Sequence, residues 1–187
     1  MRLWIENPLS ILADGAGGGI VVEGSRIVEL VPAGGVPSAP VDKRFDASNH
    51  VILPGLINTH HQFFQTLSRA HPEAINKELF PWLKALCPIW AFRLATRLAL
   101  TELLMSGCTT VSDHQYLFPR GLENAMDIQV EEATRLGMRS TVTRGSMSLS
   151  EKDGGLPPDS IVQADDTILA DCERVLTSYH DSSDGAM

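Results

Sequence analysis

One stretch, residues 51–65, constrains the fold more than any other part of the chain. Its apolar run Val51–Leu53 breaks at Pro54–Gly55, resumes with Leu56–Ile57, and ends in Asn58-Thr59-His60-His61-Gln62. Buried parallel strands are typically continuous apolar runs, and barrels of such strands carry their chemistry at the C-terminal ends. We therefore expect a buried parallel strand that presents polar side chains to a site at its end.

The residues before this stretch predict a separate segment made of strands. Residues 19–30 contain two β-branched runs around Gly24-Ser25, a pattern typical of a tight hairpin. Val41–Phe45 predicts one more strand, and no long helical pattern occurs. We interpret residues 1–50 as a small β-sandwich segment and residues 51–187 as a second domain.

After the polar stretch, helical and strand patterns alternate. The spacing of apolar residues predicts four helices, at Asn76–Leu86, Phe92–Ser106, Leu122–Leu136 and Thr167–His180, and strands at Cys108–Tyr116 and Met138–Thr143. Pro81 should interrupt the first helix, Gly107 should cap the second and Gly137 should end the third. The apolar face of the fourth helix contains Ile168, Leu169, Cys172, Val175 and Leu176. Such an alternating order of helices and strands indicates right-handed parallel βα units.

The number of these units bears on the architecture. A (β/α)8 TIM-type barrel takes about 250 residues, so residues 51–187 correspond to about three of its eight units. We expect an α/β fold that is the first part of such a barrel in a longer protein. A smaller α/β fold that only begins in this way is the alternative.

Composition narrows the class of partner. The chain has 187 residues, a formal net charge of -8 and no Lys/Arg cluster, which argues against a nucleic-acid partner. No stretch approaches the roughly 20 apolar residues of a membrane span. The three cysteines, Cys87, Cys108 and Cys172, lack CxxC spacing, so neither a disulfide framework nor a zinc knuckle is indicated. A reducing cytoplasm fits this usage best.

The polar end of the first stretch contains candidate metal ligands. Residues i and i+2 of a strand face the same way, so His60 and Gln62 can reach one site, whereas His61 points toward the surrounding helices unless the strand bulges. An imidazole suits zinc, but a neutral amide oxygen is a less usual ligand. Gln62 is then a weak ligand, a residue outside the first coordination sphere, or the mark of a missing metal. The alternative for His60 is a role limited to hydrogen bonding at a strand end.

Several motifs resemble one family. Pro54-Gly55-Leu56-Ile57-Asn58-Thr59-His60 resembles the first barrel strand of the amidohydrolase superfamily, in which a His-x-His supplies two metal ligands. This chain departs from that pattern at Gln62. The segments that resemble its purine, pterin and triazine branch, and 8-oxoguanine deaminases most, are His60–Ala70, Glu78–Leu83, Gly107–Thr110, Asp113–Tyr116, Arg144–Leu149 and Gly154–Asp159.

This resemblance implies a zinc-assisted hydrolase that deaminates a small heterocycle. The substrate class it implies is 8-oxoguanine or a related purine-like ring, with triazine, pterin and guanine aminohydrolases as alternatives in the same branch. Hydrolysis of a ring amide is another, and a non-catalytic relative with a degraded metal site is a third. In the family, carboxyl and histidine groups on later strands move the protons. They are expected beyond Met187, so no catalytic residue is assigned. Whether the protein forms a homo-oligomer stays open.

Four residues are candidates for contact with the substrate. The amide of Gln65 offers both a donor and an acceptor to a heterocycle, although a capping or surface role is the alternative. Trp82 could stack on a ring or belong to the core. His114 ends the second strand and could instead bond to Asp113. Arg144 ends the third strand, where a structural salt bridge is the alternative to contact with a carbonyl-rich ring.

The resemblance also predicts that this chain lacks segments that its relatives have. Relatives in this branch have extra residues between positions corresponding to Ala91 and Phe92, where this sequence has neither a cap nor a turn residue. We expect a lid-edge segment to be missing there, and a second such gap after Met187.

Overall fold

A computed structural model describes residues 1–69, 71–86 and 91–180, without the side chains of residues 83–86. Contacts divide the chain into two compact units, Met1–Gly55 and Leu56–Met187. This division lies beyond the boundary at residue 50 that the sequence suggested. The reason is that Val51–Ile52 forms a short strand that pairs with Ser10–Ile11 of the first unit.

The first unit consists of strands. The described strands are β1 (Arg2–Glu6), β2 (Ser10–Ile11), β3 (Gly19–Glu23), β4 (Arg26–Val31), β5 (Lys43–Asp46) and β6 (Val51–Ile52). They form one sheet in the order β4-β3-β1-β5 and a second sheet of β2 and β6. The predicted hairpin is confirmed, because β3 and β4 pair antiparallel around Gly24, which has a φ of 59°.

A small apolar cluster holds the larger sheet of this unit together. Trp4, Val21 and Val31 are buried against each other, with Val41 packed beside them. The indole Nε1–H of Trp4 donates to the carbonyl oxygen of Gly18 at 3.1 Å, so its polar atom is satisfied inside the cluster.

The second unit is an α/β fold. Its elements are β7 (Leu56–His61), a 3₁₀ helix (Phe63–Ser68), α1 (Leu79–Leu86), α2 (Phe92–Met105), β8 (Cys108–Gln115), α3 (Ala125–Leu136), β9 (Arg139–Arg144), two short 3₁₀ turns (Glu151–Asp153 and Asp159–Ile161) and α4 (Asp165–Tyr179). The sheet order is β7-β8-β9, and both strand pairs are parallel. The predicted parallel βα units are confirmed.

Local sequence signals explain where two of the helices end. Gly107 has a φ of 83° directly after the last turn of α2, and Gly137 caps α3 with a φ of 71°. This left-handed conformation is costly for residues with a Cβ, so glycine ends each helix at the residue that the sequence predicted.

Two helix predictions need correction. Pro81 does not interrupt the first helix, because α1 begins at Leu79 and places Pro81 in the first turn, where its missing N–H has no intrahelical partner. The apolar face of α4 is narrower than its sequence suggests: Ile168 is buried, but Leu169 is 66% exposed and Leu176 is 62% exposed.

The core of the second unit lies on one face of its sheet. Val111, Asp113 and Gln115 alternate along β8 as buried residues, whereas His114 between them is exposed. The buried face carries two apolar clusters that the helices cover, one with Phe63, Ala99, Leu100, Val111, Ala133 and Met138, the other with Phe64, Phe92, Leu117, Phe118, Leu122, Ala125, Met126, Ile128 and Ile161. We call this the helix face of the sheet, and the opposite side its open face.

The first strand differs from the expectation in its burial. β7 pairs in parallel with β8, as predicted, but Leu56 is 59% exposed and Ile57 is 68% exposed. Within the described sheet β7 is an edge strand with a neighbour on one side only, so its apolar residues are not covered.

No helix in the described ranges combines the length and the apolar character that crossing a membrane requires.

Candidate functional site

The two histidines at the end of β7 have different surroundings. His61 is half-buried, with its ring 5.2 Å from the ring of Phe63. Burial lowers the pKa of His61, Arg69 and His60 lower it further, and Glu102 of α2 opposes them. His61 pairs with the buried Asp113 and so lies on the helix face. The register of β7 shifts between Asn58 and His61, so strict alternation does not hold along the whole strand. The exposed His60 is assigned to the open face because it directly precedes His61.

Gln62 lies outside the strand. β7 ends at His61, and Gln62 is the residue that precedes the 3₁₀ helix Phe63–Ser68, with φ -139° and ψ 87°. The strand alternation used to pair His60 with Gln62 therefore extends one residue too far. Binding of a metal by His60 and Gln62 stays a prediction.

A side-chain contact joins Gln62 to Gln65. Side chains at i and i+3 lie over one another in a 3₁₀ helix, because it has three residues per turn. The Nε2 of Gln65 accordingly donates to the Oε1 of Gln62, and the backbone N–H of Gln65 donates to the carbonyl oxygen of Gln62 at 3.0 Å. An amide oxygen has two lone pairs, so this bond uses one of those on Gln62.

A buried carboxylate, Asp113, lies beneath this turn. It is 2% exposed, and it accepts hydrogen bonds from the backbone N–H of Phe63 at 2.7 Å and from the Nε2 of Gln129 at 2.7 Å. Burial raises the pKa of Asp113 to about 7, although both hydrogen bonds act to lower it. Asp113 therefore connects the end of β7 to β8 and α3.

Asp113 is a residue that sequence reasoning missed. The sequence predicts for it only a hydrogen bond with His114, as the alternative to a substrate contact of His114, but its hydrogen bonds go to Phe63 and Gln129 instead. The available signal was an ionisable residue at an alternate position of the run Cys108-Thr109-Thr110-Val111-Ser112, which predicts burial on the same side as Val111. Its partners could not be read from the sequence, because they lie 50 and 16 residues away.

His114 is on the open face of the sheet. Its ring lies 5.4 Å from the ring of Tyr116, and its register partner on β9 is Thr143. The adjoining residue of the third strand end, Gly145, is so close that a Cβ built on it would be 2.8 Å from the Nε2 of His114. A glycine at 145 therefore leaves room for this imidazole.

Arg144 is on the helix face instead. Its side chain is 4% exposed, and its Nε donates to an Oδ of Asp171 at 3.0 Å. One Nη donates to the Oε1 of Gln163 at 2.6 Å, and the guanidinium lies 4.1 Å from the ring centre of Phe118. The salt bridge that the sequence left open is thus present, and a contact between Arg144 and a substrate stays a prediction.

Trp82 packs in the helix layer. It is half-buried against the cluster that contains Phe64, Phe92 and Phe118. This is the core role that the sequence left open for it, and stacking on a substrate ring stays a prediction. Cys108 is 3% exposed at the start of β8.

The structure places some of the predicted site residues together and separates others. His60 and His114 share the open face, and Gln62 contacts Gln65, whereas Arg144 lies on the opposite face of the sheet. Three hydroxyl residues that sequence reasoning missed accompany them on neighbouring strands. These are Ser112, Thr141 and Thr143, which the parallel register places beside one another and beside His114.

The donor atoms fit part of a metal site. An imidazole and an amide oxygen are both able to bind a divalent ion, and His60 is exposed beside the strand end where barrel sites form. Among residues 1–69, 71–86 and 91–180, no group of three or more His, Cys, Asp or Glu side chains could hold a metal ion. His60 and Gln62 are therefore at most two donors of a larger set.

Comparison with known proteins decides the family. Residues 51–187 match the model of the amidohydrolase family. The chain belongs to the amidohydrolase family. The resemblance on which the sequence analysis depended is thus confirmed, and so is the α/β class of the second unit.

Two relatives are purine- and pterin-type deaminases. The chain is 58% identical over 194 residues to the 8-oxoguanine deaminase of Pseudomonas aeruginosa PAO1, covering 99% of this chain and 43% of that protein. It is 37% identical over 163 residues to an isoxanthopterin deaminase from an unknown prokaryotic organism, covering 82% of this chain and 34% of that protein. The chain thus spans less than half the length of these relatives.

A solved structure has the same fold. The atrazine chlorohydrolase of Arthrobacter aurescens TC1, in complex with zinc, matches 100% of this chain and 44% of its own, with a TM-score of 0.81 and 24% identity. At this identity, the comparison establishes the shared fold of the two chains.

The length of one alignment bears on continuity. The comparison with the Pseudomonas aeruginosa protein extends over 194 residues, whereas this chain has 187. The relative therefore has residues without a counterpart here. Their position between Ala91 and Phe92 stays a prediction, and part of that region, residues 87–90 with Cys87, lies outside the described residues.

Proposed function

We propose that the protein containing this chain is a metal-dependent hydrolytic deaminase of a purine-like heterocycle, 8-oxoguanine or a closely related oxidised or hydroxylated ring, and that it releases ammonia. The single observation that carries this proposal is the 58% identity to an 8-oxoguanine deaminase across 99% of the chain. Identity at this level extends through the strand ends at which barrel enzymes of this family place their chemistry.

Zinc is the cofactor that we infer. The first-strand ligands would be His60 and Gln62, an imidazole that zinc favours and an amide oxygen that binds it more weakly. A divalent ion supplies Lewis-acid activation of water for hydrolysis. The zinc complex of the atrazine chlorohydrolase, a protein of the same fold, supports this choice.

The residues of this chain would orient the heterocycle. Gln65 offers an amide to a ring edge, and its bond to Gln62 links the substrate side to the metal side. His114 lies on the open face beside Thr143, where its imidazole can hydrogen-bond a polar ring atom. Trp82 and Arg144 contribute to this site only if they leave the contacts described above. The groups that transfer protons are not assigned on this chain.

The direct test is ammonia release by the full-length, metal-loaded protein. We expect release from 8-oxoguanine with about one zinc per chain. Substoichiometric zinc and no ammonia from 8-oxoguanine or guanine would contradict the proposal, and would favour the non-catalytic relative with a degraded metal site. Analysis of the product distinguishes deamination from hydrolysis of a ring amide, since only deamination leaves the ring atoms unchanged.

Two adjacent histidines provide a matched pair of variants. His60→Ala removes an imidazole from the open face, whereas His61→Ala removes one from the helix face. We expect zinc content to fall in the first variant and to stay near that of the unmodified protein in the second. Equal loss of zinc in both would contradict the assignment of His60 as a ligand.

A pterin is the second candidate substrate. The 37% identity to an isoxanthopterin deaminase favours it, because this ring is also a fused, oxo-substituted heterocycle with an amino group. Comparing kcat/KM for 8-oxoguanine and isoxanthopterin decides between them, and we expect the higher value for 8-oxoguanine.

We also infer a cytoplasmic enzyme without a nucleic-acid or membrane partner. Its oligomeric state stays open.

A further inference from the structure

We propose that Asp113 is a positioning residue for the segment His60–Gln65, and that it acts through the backbone N–H of Phe63. The inference rests on the proposed function, because it takes this segment to be the metal- and substrate-facing part of the chain. Asp113 itself touches neither side chain of the candidate metal pair in the hydrogen bonds described above.

Asp113 holds the chain at Phe63, at the start of the 3₁₀ helix. Phe63 is the residue directly after Gln62 and the first of the 3₁₀ helix, so its N–H is one that no helical carbonyl accepts. The Oδ1 of Asp113 accepts this N–H at 2.7 Å. The Phe63 ring is fully buried, so the residue is fixed at both its backbone and its side chain.

Asp113 is itself held by a side chain of α3. Its Oδ2 accepts from the Nε2 of Gln129, which is fully buried on α3. The turn after β7 is thereby connected, through one carboxylate, to β8 and to α3.

The positions of the Asp113 side-chain oxygens, and not its charge, are what holds the turn. Both partners of its carboxylate are neutral amide groups, so acceptor geometry rather than ion pairing holds the turn. The Oε1 of Gln129 is buried without a partner in the described structure. A rotated Gln129 amide would offer that oxygen to a donor, so an asparagine at 113 can keep both hydrogen bonds. A glutamate keeps the charge but moves the oxygens by one methylene.

The test uses the full-length protein, with zinc as the probe. The zinc affinity of the unmodified protein and of the variants Asp113→Asn, Asp113→Glu and Asp113→Ala is measured by competition with a chelator. We expect Asp113→Asn to stay within about threefold of the unmodified protein. Asp113→Glu and Asp113→Ala should lose about 10- to 100-fold, the usual effect of removing a group that orients a metal ligand.

Glu132→Ala is the matched control, since it also removes a buried carboxylate, one that joins α3 to α2 through Arg93 and Arg97 and does not contact the turn. We expect it to lower the urea midpoint and leave zinc affinity unchanged. Unchanged affinity in Asp113→Glu, or an equal loss in Glu132→Ala, would overturn the proposal. If Asp113→Ala does not fold, the contrast between the asparagine and glutamate variants decides.

Hydrogen exchange of the Phe63 amide separates this proposal from the proposed function. Loss of one hydrogen bond should speed that exchange about tenfold in Asp113→Glu and leave Asp113→Asn near the unmodified rate. If the unmodified protein binds no zinc, the proposed function fails, and this exchange still tests the anchor. If it binds zinc but the exchange rates do not differ, the positioning role fails and the function stands.

Discussion

At the scale of single residues, Gln62 is where this chain departs from its family's pattern. Its Oε1 already accepts from Gln65, which leaves one lone pair for an ion. Because an imidazole binds zinc better than an amide oxygen, we expect Gln62→His to maintain or raise zinc occupancy. Metal analysis of the purified variant measures this. Loss of both metal and activity would instead show that the hydrogen bond to Gln65 is what position 62 contributes.

Asp113 predicts a pH dependence of stability. Burial raises its pKa from 3.8 to about 7, so between these values the folded protein binds more protons than the unfolded chain. Its contribution to stability is therefore complete below about pH 4 and is lost as the pH rises through 7. From pH 5 to 8, the unmodified protein should lose on the order of 2 kcal/mol relative to Asp113→Asn in urea unfolding. Parallel pH profiles for the two proteins would contradict the raised pKa.

At the scale of elements, the linkage between α2 and α3 depends on Glu132. Its side chain is 2% exposed, and its oxygens lie 2.9 Å from Arg93 and 2.7 Å from Arg97. The hydrogen bond from Arg97 has the largest effect on the pKa of Glu132, and together with the hydrogen bond from Arg93 it lowers this pKa to about 2. Its contribution is therefore present above pH 4.5 and is lost as the pH falls toward 2.

We expect Glu132→Ala to lower the free energy of unfolding at pH 7 by about 1–3 kcal/mol, because Arg97 loses its carboxylate partner and Arg93 keeps only Glu131. Urea unfolding at pH 7 and pH 3 measures it, and the effect should shrink at the lower pH. Glu131→Ala is the control: Glu131 also pairs with Arg93, but its side chain is 59% exposed, so the loss should stay within about 1 kcal/mol. Equal effects of the two substitutions would show that burial does not set the strength of this linkage.

The elements themselves were largely predictable, and the contacts between them were not. An apolar run that ends in polar residues predicted β7, short strand-type segments between the helical patterns predicted β8 and β9, and Gly107 and Gly137 predicted two helix ends. These signals are local, because they depend on strand alternation and backbone conformation. The hydrogen bond between Asp113 and Phe63 joins residues 50 positions apart. Such a pair depends on the register between strands, which no local pattern specifies.

At the scale of the whole molecule, the two faces of the β7–β9 sheet differ in the side chains that they carry. The helix face holds the core, together with Arg144 and its ion pair. The open face has His60, His114 and a row of hydroxyl residues. The sequence placed Arg144 correctly at a strand end but could not choose its face, because a strand that ends one residue earlier or later reverses the direction of its last side chain.

The polar open face gives a final prediction for the complete protein. Barrel interiors are usually filled by bulky branched residues, whereas this face carries the hydroxyl and imidazole groups of Ser112, His114, Thr141 and Thr143. If this face surrounds a catalytic ion, a chelator should reduce ammonia release from 8-oxoguanine by at least about 100-fold, and added zinc should restore it. Far-UV circular dichroism should stay unchanged, since the apolar clusters lie on the other face. Full activity after the metal has been removed would contradict both the cofactor and the site.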